Sequence, residues 1–284
     1  MNVNFGKTLN QIRRKKNIPI NELVEDIMTR STYNRFKNGE IDTSISKFNR
    51  LLMRLNISYE EFLFIHNGYH NNPTIVAILE IEVHFNSGNK DKLRVLQNKL
   101  SEEDWENPQA QKHIISLISI LLEFSSYSEA EWKNNDLICY LNRVETWTHY
   151  EIMMFGNCLK ILPTETIDYF LKNILHSYSA YEENPEYQNR ISRIMINAII
   201  SFLSRKEVAL ARKWHNRLSI FPTRETLFFE SFFEKLLASY LDYAEGEREA
   251  SKNFSSFVES LQLIGKDELS EKIVSLNHWI VTNY

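Results

Sequence analysis

Glycine and proline are scarce, and that scarcity limits what this chain can become. Only 7 of 284 residues are glycine and 6 are proline. Glycine therefore stands at about 2.5%, against a usual ~7%. Such a chain has few sites for tight hairpins or glycine-rich phosphate loops. Long helices joined by short connections fit it best. The length allows one or two domains with a sizeable core, and 43% hydrophobic with 25% charged residues is the ordinary mix of a globular chain.

Several classes drop out. The longest apolar stretch, residues 114–124, is broken by Ser116, Ser119 and Glu123, well short of the ~20 apolar residues of a membrane-spanning helix. The first residues carry no basic-then-apolar export signal. Cys139 and Cys158 are too few for a disulfide framework or zinc site and lie within apolar helical patterns. A cytoplasmic protein without membrane contact is expected. Charge is uneven along the chain. Residues 1–66 hold eleven basic and seven acidic residues, a balance of +4, and the net charge of −4 leaves −8 for the remainder. A basic head on an acidic body suits a head that meets a polyanion.

The head reads as a helix-turn-helix bundle. Phe5, Leu9 and Ile12 fall at helical spacing, and Arg13-Arg14-Lys15-Lys16 closes that helix where its dipole favours cations. Pro19 opens a short helix over 21–26. Thr29 caps a third helix that runs to Asn38 and stops at Gly39. In that helix Tyr33 and Phe36 face inward, which leaves Arg30, Ser31, Asn34, Arg35 and Lys37 to solvent. Arginine can fork onto guanine and asparagine onto adenine, so this face suits the major groove of double-stranded DNA. Helices over 46–55 and 58–66 complete the bundle, the last with Ser58 and Glu61 at capping-box spacing.

Residues 5–63 resemble the lambda-repressor-type (XRE) helix-turn-helix through "LNQIRRKKNI", "NELV", "NRFKNGE" and "FNRLLMRLNISYEEF". The resemblance implies that helix 29–38 enters the groove. It assigns Thr29, Arg30, Ser31 and Asn34 to bases or phosphates, with Arg35 and Lys37 next in line. Two positions depart from the pattern. Pro19-Ile20 replaces the usual Ser-Gln, which removes a phosphate contact, and Lys37 replaces the usual glutamate, which adds a cation.

After a linker at 67–72, residues 73–284 read as helix after helix, with Pro73, Pro108, Pro163, Pro185 and Pro222 each ahead of an amphipathic run. Helices are expected over about 74–87, 89–100, 109–126, 136–147, 149–161, 165–182, 186–203, 206–219, 223–244, 247–264 and 267–282, with a short one near 129–134. Pairs recurring at roughly 35–45 residues are the mark of a tetratricopeptide-like α-solenoid, all-α throughout. "DLICYLNRVETWTHYEIMMFGNCLKIL", "ISRIMINAIISFLSRKEVALARKWHNRLSI" and the segment from Phe228 to Ile273 resemble the C-terminal domain of the Rgg/GadR/MutR regulators, cytoplasmic peptide-pheromone receptors of Gram-positive bacteria. The resemblance covers nearly the whole chain. It implies a right-handed solenoid and a homodimer on promoter DNA. A short, often hydrophobic signalling peptide on the concave face would alter head spacing or contacts with RNA polymerase. Some relatives join their heads through a disulfide; this head has no cysteine, so noncovalent dimerisation is expected.

Candidate peptide-binding residues follow from chemistry. An extended peptide needs partners for its amides, since each buried unpaired amide costs ~1–3 kcal/mol. Asn157 and Asn197 interrupt apolar runs and offer a donor and an acceptor together, either to a peptide or to a neighbouring helix. Arg190, Arg193 and Arg143 could receive a carboxylate or lie solvated. Tyr150, Phe155, Tyr187, Phe232 and Phe233 suit either apolar pockets or the core. The last helix, carrying Leu269, Ile273, Leu276 and Ile280 on one stripe, either caps the solenoid or forms the dimer contact; an array end must be covered.

No metalloprotease, P-loop, dinucleotide or nucleophile-elbow motif occurs, and His66 with His70 has no obvious ligand partners. No catalysis, metal or cofactor is expected. A regulator whose body docks a protein, and a solenoid scaffold that does not bind DNA, are the alternatives.

Overall fold

The computed structural model describes residues 4–123, 134–221 and 228–284. Among them the secondary structure is helical, without strands. The chain forms two compact units, residues 1–83 and 84–284. The division falls inside the sixth helix rather than in the expected linker at 67–72.

The first unit holds α1 (Phe5–Lys15), α2 (Ile20–Val24), α3 (Arg30–Asn38), α4 (Ile45–Arg54) and α5 (Tyr59–His66). Leu9, Leu23, Tyr33, Leu51, Leu55 and Phe62 are fully buried in its core. Each such side chain contributes roughly 1.5–3 kcal/mol. A bundle of about 60 residues is nevertheless marginal, so polar clamps between helices matter. Lys16 Nζ donates to the Leu55 carbonyl at 2.6 Å and holds the end of α1 on the end of α4. Arg54 reaches the carbonyls of Glu22 (3.2 Å), Leu23 (3.2 Å) and Glu25, closing α2. It also pairs with Asp26, whose carboxyl is held below its usual range chiefly by the Arg54 hydrogen bond.

The second unit continues the helical series. It is built from α6 (Pro73–Asn86, which begins in the first unit), α7 (Lys90–Glu102), α8 (Pro108–Glu123), α9 (Asp136–Arg143), α10 (His149–Cys158) and α11 (Thr164–Tyr178). Then come α12 (Pro185–Ser204), α13 (Val208–Leu218), α14 (Phe228–Ala244), α15 (Phe254–Leu263) and α16 (Asp267–Asn283). The helix expected over 223–244 is described from Phe228 onward, and the short helix near 129–134 lies almost wholly outside the described residues. Several expected helices are shorter, α10 ending at Cys158 and α11 at Tyr178. α9 stops at Arg143 because Val144 turns extended, and residues 247–264 divide into a 3₁₀ turn (Arg248–Asn253) followed by α15.

Packing within this unit follows one rule. From α7 onward each helix packs on a sequence neighbour, while α8, α10, α12 and α14 also pack on one another in turn. These four form a contiguous row. The connections are held by hydrogen bonds that leave few polar groups unpaired. Asn135 caps α9 and donates to the Ser116 carbonyl of α8 at 3.3 Å. Tyr187 of α12 donates to the Trp147 carbonyl at 2.6 Å, and Arg205 donates to the Leu162 carbonyl at 2.6 Å. Cys158 is fully buried, and burial pushes its thiol up to about 12.

Candidate nucleic-acid interface and ligand-binding face

α3 is placed by its own ends and by one close approach. Thr29 Oγ1 accepts from the Thr32 amide at 3.1 Å, which satisfies an orphan donor of the first turn. Gly39 ends the helix at φ 77°, a left-handed conformation that glycine adopts without strain. On the inner side, a Cβ at Gly6 of α1 would lie 2.2 Å from the Phe36 carbonyl oxygen, so only glycine lets α1 approach α3 this closely.

Tyr33 and Phe36 are buried, as their spacing predicts. Thr29, Arg30, Ser31 and Arg35 are exposed, and Asn34 and Lys37 are half-buried. Arg30, Asn34 and Lys37 lie at helical-turn intervals on one stripe. Lys37 Nζ donates to Asn34 Oδ1 at 3.4 Å, and Arg35 leans on Glu40 at 3.7 Å. Exposed pairs of this kind contribute ~0–1 kcal/mol and exchange readily for phosphate. Arg30 and Ser31 have no partner among the described residues. The face therefore offers one free guanidinium, an amide and a lysine on a single rigid helix.

A second face runs over the row of α10, α12 and α14. α12 turns Glu186, Arg190, Arg193, Asn197, Ile200 and Ser204 outward at three- and four-residue intervals, and α10 turns out His149, Met153 and Asn157, with Lys160 just past its end. Charge links the three helices. His149 is held below its usual value by burial first and by the Arg190 cation second. Arg190 pairs with Glu186 at 2.7 Å, yet its Nε is buried without a partner. Arg193 reaches across to α14, where its Nε meets Glu230 at 2.8 Å and its guanidinium lies 5.3 Å from the centre of the Phe229 ring. Asn157 Nδ2 donates to the Met153 carbonyl at 3.0 Å and leaves its Oδ1 open, while Asn197 is exposed with no partner among the described residues.

Four expected residues, Asn157, Arg190, Arg193 and Asn197, thus share neighbouring helices of the row. The others do not join them. Phe155 is fully buried between Trp147 and Phe170, Tyr187 is spent on the Trp147 carbonyl, and Phe233 is 6% exposed. These three rings are core. Phe232 is half-buried against Phe257. Arg143 sits at the end of α9, outside the row, with its Nε on the Cys139 carbonyl at 3.3 Å.

Tyr150 belongs to a buried polar cluster that its spacing alone does not reveal. Its hydroxyl lies 2.8 Å from His113 Nδ1, and His113 Nε2 lies 2.7 Å from Gln109 Nε2. Tyr140 donates to Glu151, which also accepts from the Thr148 amide at 2.7 Å. Burial would raise the Glu151 carboxyl, but the hydrogen bonds from Tyr140 and Thr148 outweigh it and hold the group below its usual range. Burial keeps His113 below its usual value and pushes the Tyr140 hydroxyl up to about 12. A neutral His113 with both ring nitrogens engaged joins α8 to α10. Glu230 and Glu186, the partners of the two arginines, also went unmarked in the sequence, because helical spacing shows which way a residue points but not what stands opposite.

A helix-turn-helix head followed by a row of paired helices defines a class of regulators with helical repeat domains. The model of the C-terminal domain of the HTH-type transcriptional regulator Rgg matches residues 93–274. The chain belongs to the Rgg family of transcriptional regulators. Among solved structures, a protein from Listeria monocytogenes EGD-e has a TM-score of 0.84 at 16% identity, covering 99% of this chain and 98% of that one. The Streptococcus dysgalactiae SHP pheromone receptor Rgg2 has a TM-score of 0.76 at 22% identity, covering 96% and 98%. PrgX in complex with iCF10 has a TM-score of 0.66 at 15% identity, covering 98% and 90%. These three likenesses are of fold. Among the described residues no helix is long and apolar enough to cross a membrane, and no group of three or more His, Cys, Asp or Glu could hold a metal ion.

Proposed function

We propose that this protein is a cytoplasmic, homodimeric transcription regulator whose head binds promoter DNA and whose repeat domain takes a short signalling peptide. The observation that carries the reading is the pairing, in one chain, of an outward-facing Arg30–Asn34–Lys37 stripe on a basic head with an Arg190–Arg193–Asn197 stripe on a row of packed helices. On the head, Arg30 and Asn34 read base edges while Thr29, Ser31, Arg35 and Lys37 hold phosphates. Two heads would sit on half-sites about one or more DNA turns apart.

On the body, Asn157 Oδ1 and the Asn197 amide serve the backbone of an extended peptide, and Arg190 Nε supplies a donor that lacks a partner. The peptide acts by preferring one arrangement of the dimer, since equal affinity for both would shift nothing. A bacterial peptide pheromone/receptor complex shares this fold, which favours a peptide over a docked protein.

Selection of duplexes from a random pool by the full chain tests the head directly. A single enriched motif, lost in Arg30→Ala, is expected. Enrichment identical in the parent and Arg30→Ala would remove α3 as the reading helix, and no enrichment at all would favour the scaffold alternative.

A further inference from the structure

The exposed stripe of α12 continues past Asn197 to Ile200 and Ser204, where it meets the last helix. Ile200, Leu203 and Ser204 of α12, Tyr240 of α14 and Leu276 and Trp279 of α16 line a cavity of about 240 Å³. Its two hydroxyls are already engaged: Tyr240 donates to Asn277 Oδ1 at 2.6 Å, and Ser204 donates to the Ser201 carbonyl at 2.7 Å. The lining carries no charged side chain. Ile200, Leu276 and Trp279 are half-buried, so the cavity opens to solvent. Its volume falls below the ~300–1,000 Å³ that holds a whole small ligand and suits one large apolar group.

We propose that this cavity receives one large apolar side chain of the peptide bound along the α10–α12 face, which makes α16 a wall of the binding site. The inference rests on the peptide-binding reading above. Ile200 lies three residues beyond Asn197 on α12, a rise of about 4.5 Å, and an extended peptide advances about 3.3 Å per residue. A side chain one to three positions from the residue held at Asn197 therefore reaches the opening. The occupant would touch α12 and α16 together. Tyr284 of the chain end already donates to the Leu203 carbonyl at 2.7 Å, so the last helix is tied to the same end of α12 that the peptide would reach.

Two experiments on the full chain test this. In protein labelled with 5-fluorotryptophan, the Trp279 resonance, assigned by its loss in Trp279→Phe, is followed while N-acetyl-phenylalanine amide, N-acetyl-leucine amide or N-acetyl-aspartate amide is added. Saturable shifts with the two apolar amides, absent with aspartate, are expected. Leu276→Trp should weaken them at least tenfold, and Ile200→Phe provides a second filled cavity should Leu276→Trp not fold. No shift, an equal shift with aspartate, or no effect of either filled variant overturns the cavity as an apolar site. Next, random eight-residue peptides are selected on the parent and on the filled variant. Enriched peptides sharing one apolar position, lost only in the filled variant, support the inference. Enrichment with no such position overturns the pocket and leaves peptide binding standing, whereas no enrichment by either protein overturns peptide binding and the occupant with it.

Discussion

Gly6 sets the distance between α1 and α3, because a methyl group there would meet the Phe36 carbonyl at 2.2 Å. Gly6→Ala should cost about 1–3 kcal/mol by overpacking, read as a lower urea midpoint at unchanged slope; an unchanged midpoint would mean that α1 can retreat freely. On the outer side of the same helix, Arg30→Ala or Asn34→Ala should cost ~1–3 kcal/mol of DNA affinity and relax specificity at the base each reads. Lys37→Ala should weaken all duplexes evenly and reduce the salt slope by about 1, measured by titration at several salt concentrations. At this scale the sequence is legible where a local rule decides. The Thr29 cap and the Gly39 stop depend only on neighbours in the chain. Phe155, Tyr187 and Phe233 are not legible this way. Their helices are buried on more than one side, and apolar spacing cannot separate a groove from a core.

Between elements, the link from α8 to α10 through His113 and Tyr150 has a consequence for pH. Folding holds His113 neutral, chiefly by burial and with the Lys112 and Arg143 cations adding to it, while Asp136 and Glu151 oppose. Its folded pKa is thus below the ordinary 6.5, so the unfolded chain binds the proton first. Stability should fall as pH drops through 6.5 toward the folded value, and His149 acts in the same direction. Thermal unfolding across this window should show a shallower pH slope for His113→Gln than for the parent; equal slopes would place the acid response elsewhere. The carboxyls of Asp26, Glu151 and Asp168, held low in the fold, lose their stabilising contributions only at more acid pH. Helix positions were largely legible from periodicity and from Pro73, Pro108 and Pro185 at first turns. The early end of α9 was not, because it follows from Trp147 being drawn inward and held by Ser177 and Tyr187, both more than 25 residues away in sequence.

For the molecule as a whole, the scarcity of glycine, the split of charge and the chain of amphipathic runs led to a helical head and a repeat body, and the helical fold with its Rgg-family domain agrees. What sequence could not supply is which helices form the row. That order arises from packing between every second helix, α8 on α10 on α12 on α14, and only then do Asn157 and Arg193 fall on one face. Asn157→Ala should weaken peptide binding and leave DNA affinity unchanged. An equal loss of both would assign Asn157 to the fold. The central claim is that one chain couples a duplex to a peptide. Fluorescence anisotropy on a labelled duplex from the gene's own upstream region tests it most directly, run at two salt concentrations with and without synthetic peptides from neighbouring short reading frames. The account predicts salt-sensitive binding that one peptide alters and the others do not. Duplex binding that no peptide changes, including peptides enriched from a random pool, would contradict it.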